Sequence, residues 1–174
     1  MASRLYRVLF LSQRNSARSI MAEAILNSIG SGRFLAHSAG VRPAGEIEPI
    51  VLELLQHAQL PTEDLRPKHY SEFSSAGTTD LDFVFTLSDT AAGEPPPSWP
   101  GMPITAHWPS TDPTRFDRED AERRHALIRT RSELERRLQL FVALPFASLD
   151  RLRTQQQVDD IGRPGPGETP PGAG

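Results

Sequence analysis

The chain has 174 residues, 22 acidic against 19 basic side chains, a formal net charge of −3, 37 % hydrophobic residues and no cysteine. That length supports one ordinary hydrophobic core without a disulfide or metal staple, and near-neutral charge argues against a general nucleic-acid surface. The lack of cysteine removes thiol nucleophiles, thiolate metal sites and dithiol redox chemistry from the chain's own side chains.

Val8-Leu9-Phe10-Leu11 is an apolar run of strand length, too short for a signal-peptide core and far short of the ~20 apolar residues that span a bilayer. The expected location is the cytoplasm, with no membrane partner. The polar Ser12-Gln13-Arg14-Asn15-Ser16 that follows reads as a loop. From Ala17 to Ile29, Met21, Ala22, Ile25, Leu26 and Ile29 recur at steps of three and four, predicting a helix that Gly30 stops. Phe34 to Ala39 reads as a second strand. A second helix follows with Pro49 in its first turn, Glu46 and Glu48 near its positive end, and Ile50, Val51, Leu54, Leu55 and Ala58 on one face.

Asp82 to Ser88 contains Phe83-Val84-Phe85-Thr86-Leu87, apolar and β-branched enough for a central strand, and Ile104 to His107 is a fourth candidate. Asp117, with Asp120 three residues on, is the expected N-cap of a long helix carrying Leu127, Leu134, Leu138, Phe141 and Val142 on one side. Its other side mixes arginine with glutamate, as a solvated face with i,i+4 pairs does, and Pro145 ends or kinks it. Beyond Gln157 glycine and proline dominate, so the expected division is a domain over 1–157 and a disordered tail over 158–174. Strands alternating with helices imply parallel βαβ units and an α/β class: three layers, α/β/α, around a mostly parallel four-stranded sheet, with the polar loop at its carboxyl edge.

A polar loop between a buried strand and a helix gathers backbone N–H groups and the positive end of the helix dipole around one point, which is what a tetrahedral oxyanion requires. Arg18 lies just inside the helix start, where its guanidinium can fork onto two anion oxygens. Ser16 and Ser19 offer hydroxyl donors, and Asn15 tolerates the left-handed backbone such a loop often needs. A strand, loop and helix with one arginine is common, so the spacing by itself leaves an ordinary structural turn open beside an anion site.

The run from Val8 through Ser12, Arg18 and Ser19 to Glu23 resembles the Cys-x5-Arg-Ser signature of thioredoxin-coupled arsenate reductases and their relatives, the low-molecular-weight protein tyrosine phosphatases. Further matches occur in the same order: His37-Ser38-Ala39-Gly40, Phe83-Val84-Phe85-Thr86-Leu87-Ser88-Asp89, Ala92-Gly93-Glu94-Pro95, Trp99-Pro100-Gly101, and Ala106-His107-Trp108 followed by Asp112-Pro113. The resemblance runs from about residue 7 to residue 153. It implies the phosphatase-like α/β/α fold, an oxyanion held by Gln13, Arg14, Asn15, Ser16, Ala17, Arg18 and Ser19, and a catalytic set at Ser12, Arg18 and Asp112.

The departures bear on function. The family's nucleophilic cysteine is Ser12 here, its second redox cysteine is Ser88, and its third is Pro96. Arsenate reduction draws two electrons from thiols, which these side chains lack. Ser12 has no adjacent histidine or lysine as its base, and a hydroxyl is far less acidic than a thiol. Gln13 and Arg14 also differ from the small or neutral residues usual in the family, and Arg14 either adds a cation over the anion or folds outward. Asp112 matches the phosphatase general acid, although Asp-Pro is equally an ordinary turn dipeptide.

The five histidines show no metal-ligand spacing, and neither a metal nor a cofactor is expected. Trp99 and Trp108 are expected to pack a Pro-rich segment onto the body, with the mouth of the anion site as the other reading for Trp108. The expected function is binding of phosphate or arsenate without thiol-based reductase chemistry, as suits a sensor, a carrier or the companion of a protein partner. The rival is an enzyme that uses Ser12 or an external thiol, or an active reductase whose cysteines were mutated. Pro96 argues against mutagenesis, because cysteine is normally replaced by serine or alanine.

Overall fold

Successive side chains of a strand face opposite sides of its sheet, and in β1 (Tyr6–Ser12) residues of both parities are buried. Val8 and Phe10 join one core cluster while Leu9 and Leu11 join another. A strand apolar on both faces belongs in the middle of a covered parallel sheet. The computed structural model, which describes residues 4–74, 78–93, 98–110 and 119–163, places β1 between β2 (Phe34–Gly40) and β3 (Phe83–Thr86), with β4 (Ile104–His107) beyond β3. All three pairings are parallel, so the sheet is wholly rather than mostly parallel. Ser12 at the carboxyl end of β1 lies opposite Gly40.

The larger cluster lies under α1 (Arg18–Ile29), α2 (Pro49–His57), α5 (Asp120–Val142) and α6 (Arg151–Ile161). Phe34, Phe83, Phe85, Phe141 and Phe146 pack there with ring centroids 5.0–5.8 Å apart, in tilted, edge-on and stacked pairs. The second face is thinly covered, by α3 (Ser71–Ser74), α4 (Asp89–Gly93) and Trp99. Trp108 is fully buried and stacks on Phe85 at 4.0 Å, so it packs the interior rather than the mouth of the loop.

Three expectations need correction. The long helix begins at Asp120 with Glu119 as its N-cap, and the proposed cap Asp117 lies outside the described residues. Ala58 is the exposed C-cap of α2 rather than part of its buried face. The boundary drawn after Gln157 falls inside α6: Val158 is fully buried, Ile161 is buried, and Trp108 Nε1 donates to the Val158 carbonyl at 2.8 Å. Three buried side chains on an otherwise polar segment, Thr154, Val158 and Ile161, are too few to announce a helix by periodicity. The rest of the expected tail, 164–174, lies outside the described residues.

Candidate functional site

Between Ser12 and Arg18 the chain turns from strand to helix in five residues. The carbonyls of Ser12, Gln13, Arg14 and Ser16 accept N–H donors from Val41, Arg42, Ala44 and Glu48 at 3.2, 2.8, 2.9 and 3.0 Å. In a trans peptide the N–H points opposite to its carbonyl. Turning those carbonyls outward therefore turns the N–H groups of Gln13, Arg14, Asn15 and Ala17 inward, as in an anion-binding nest. The Asn15 N–H marks that interior, ending 3.2 Å from Ser12 Oγ. Asn15 holds a left-handed φ of 51°, as its residue type allows. A Cβ at Gly40 would meet Asn15 Cβ at 3.0 Å and the Gln13 carbonyl at 3.1 Å, so β2 needs glycine where the loop crosses it.

A chain of hydrogen bonds then runs through the loop. Asn15 Nδ2 donates to Ser19 Oγ at 2.8 Å, and Ser19 Oγ lies 2.7 Å from Ser12 Oγ. Asn15 Oδ1 accepts from the Lys68 N–H at 2.9 Å. Arg18, the first residue of α1, is 6 % exposed, and its Nη1 donates to the carbonyls of Ser110 at 2.7 Å and Leu87 at 3.3 Å. The guanidinium therefore docks α1 against the ends of β3 and β4. Ser12, Asn15, Ser16, Ala17, Arg18 and Ser19 are all buried, Gln13 is half-buried and Arg14 is exposed at the rim. Ser88 caps α4, its Oγ accepting from the Ala91 N–H at 3.1 Å. Asp112 and Pro96 lie outside the described residues.

Behind the loop is a pair that motif reading missed. Lys68 Nζ lies 3.9 Å from Glu23 Oε1, with both side chains 8 % exposed. The ammonium also donates to the Arg66 carbonyl at 2.8 Å, and Ser38 Oγ donates to Glu23 Oε1 at 3.3 Å. Burial raises the Glu23 pKa, opposed by the charge of Lys68 and by Ser38. Burial likewise lowers the Lys68 pKa, opposed by Glu23. Lys68 also receives the Gly40 N–H on its carbonyl at 2.8 Å, so one residue ties α1, β2 and the loop together. Composition carried the one signal available: Lys68 is the single lysine among 19 basic residues.

Comparisons with known proteins agree with this fold. A glutaredoxin arsenate reductase from Synechocystis is 25 % identical over 107 residues, covering 62 % of this chain and 78 % of the relative. The crystal structure of an arsenate reductase from Archaeoglobus fulgidus superposes with a TM-score of 0.61 at 26 % identity, over 79 % of this chain and 99 % of that one. An arsenate reductase in its phosphate-binding state shares the fold, with a TM-score of 0.63 at 22 % identity over 79 % of this chain and 97 % of that one. The profile of the low molecular weight phosphotyrosine protein phosphatases matches residues 7–156, from the first strand through the loop to the last helix, and the chain belongs to that family.

Proposed function

We propose that the chain binds a tetrahedral oxyanion, phosphate or arsenate, in the loop 12–19, and that it runs no thiol-based reductase chemistry. The observation that carries this reading is the setting of Ser12. Its Oγ accepts the Asn15 N–H and shares a 2.7 Å hydrogen bond with Ser19, whose oxygen also accepts from Asn15 Nδ2, so either hydroxyl can be the donor between the two serines. With Ser19 donating to Ser12, the Ser12 proton is left to point into the ring of N–H groups as one more donor.

A neutral hydroxyl also changes the electrostatics. A thiolate at the loop base would repel a bound anion by on the order of 4 kcal/mol per pair of unit charges about 4 Å apart in partly buried surroundings. Ser12 removes that repulsion and, with it, the nucleophile. Electrons for reduction have no source in a chain without cysteine. What remains is recognition, as in a cytoplasmic sensor or carrier that presents the bound anion to a protein partner.

Isothermal titration of the purified chain with phosphate and with arsenate tests the reading. Micromolar affinity is the expected result, and no heat at millimolar anion overturns it. Hydrolysis of p-nitrophenyl phosphate by the unaltered chain, abolished in Ser12→Ala, would move the assignment to a serine-dependent enzyme.

A further inference from the structure

On the second face of the sheet a cleft of about 550 Å³ opens between α4, α6 and the 98–100 segment, with Leu11 and Val41 on its side nearest the loop 12–19. Leu11 and Val84 form its floor, and Tyr70 and Trp99 wall it with their ring centroids 6.1 Å apart at 74°. Clefts of that volume with apolar floors and aromatic walls are the usual form of a small-molecule site.

The polar groups of the cleft say what a ligand must carry. Thr86 Oγ1 and His107 Nδ1 lie 2.8 Å apart, and His107 Nε2 lies 3.0 Å from Asp89 Oδ1, so these groups satisfy one another. At the α6 end, both amide hydrogens of Gln155 are engaged, its Nε2 lying 2.8 Å from the Thr105 carbonyl and 3.0 Å from Asp159 Oδ1. That end therefore presents acceptors, the Gln155 carbonyl oxygen and the Asp159 carboxylate. Among the described residues no lysine or arginine lines the cleft. We infer that it binds a small aromatic amine in its cationic form, the ring lying on the apolar floor against the Tyr70–Trp99 wall and the ammonium on Asp159 and Gln155.

The probe is 1-naphthylmethylamine, titrated into the full chain and followed by amide chemical shifts, with 1-naphthaleneacetate and cyclohexylamine as controls. Saturable sub-millimolar binding is expected, with shifts at Ala91, Ala92 and Thr105, and each control should bind at least about tenfold more weakly. Thr105 is exposed, so Thr105→Trp fills the cleft without disturbing the core and should abolish binding, while Asp159→Asn should weaken it about tenfold. Equal binding of the acetate, shifts confined to other surfaces, or unchanged affinity in Thr105→Trp overturns the assignment. The probe is a cation and carries no oxyanion, so failure here and failure of the oxyanion reading are separate results.

Discussion

Arg18 has a docking role seen in the fold and a binding role in the proposed function. Its Nη1 holds the Leu87 and Ser110 carbonyls, and the same guanidinium is proposed to grip the bound oxyanion. Arg18→Ala should abolish oxyanion binding detectable by calorimetry, because a charge-assisted bidentate contact is roughly twice as strong as a neutral one. Arg18→Lys should restore it only in part, as an ammonium lacks the planar fork. Unchanged affinity in both variants removes the proposed site.

Ser12 is the natural place to separate lost chemistry from lost architecture. In Ser12→Cys the inward N–H groups and the Ser19 hydroxyl should hold a thiolate, lowering the thiol pKa below its ordinary value. This variant should release p-nitrophenol from p-nitrophenyl phosphate where the unaltered chain does not, with Asp112→Asn slowing that release. It should still fail to turn over arsenate, since positions 88 and 96 supply no relay thiol. Inactivity of a folded Ser12→Cys protein would show that Gln13 and Arg14 have reshaped the loop.

The Glu23 and Lys68 pair makes a pH prediction. Glu23 has a folded pKa raised above 4.5, so its favourable contribution is full below that value and is lost as pH rises through the raised pKa. Lys68 has a folded pKa lowered from 10.5, so its contribution is full above that value and is lost as pH falls through the lowered pKa. Between the two folded pKa values both are buried as ions, each needing the other. Lys68→Met should therefore cost about 3–5 kcal/mol at pH values between the two, where the buried Glu23 carboxylate loses its ammonium. The cost should shrink as pH falls through the raised Glu23 pKa. Glu23→Gln combined with Lys68→Met should recover most of the loss. Urea unfolding of the three variants across pH checks this, and a pH-independent cost for Lys68→Met would exclude charge as its cause.

At the scale of elements, the loop 12–19 was legible because its signal is local: a strand of four apolar residues, a polar turn, and a helix with a 3.6-residue pattern. Lys68 was not, because it lies 53 residues from its partner Asn15 and 45 from Glu23, and nothing in the chain between them announces the contact. The same holds for α6, whose burial depends on Trp108 across 50 residues. A Cβ at Gly162 would meet Trp108 Cδ1 at 2.5 Å and the His107 carbonyl at 2.7 Å, so the end of α6 is fitted closely against the end of β4. Gly162→Ala should destabilise the fold by about 1–3 kcal/mol, since backbone cannot yield as a flexible side chain does. Thermal unfolding that matches the unaltered chain would show that the end of α6 moves freely.

For the whole molecule, composition places a limit on 164–174, where the only residues besides glycine and proline are Glu168, Thr169 and Ala173. Such a segment carries too little apolar surface to offset the entropy of ordering it. Deleting 164–174 should leave the melting temperature within about a degree. A larger loss would mean that the segment docks on the body.

The sequence by itself determined the α/β class, the four strands, the position of the polar loop after the first strand and the absence of any thiol, because hydrophobic periodicity and residue chemistry are local properties. The tertiary structure alone decided which way the loop carbonyls face, what stands behind Asn15, how far the last helix extends and where a second cleft opens. Each of those depends on groups far apart in the chain meeting at hydrogen-bond or van der Waals distance, and that meeting is a property of packing rather than of any single segment.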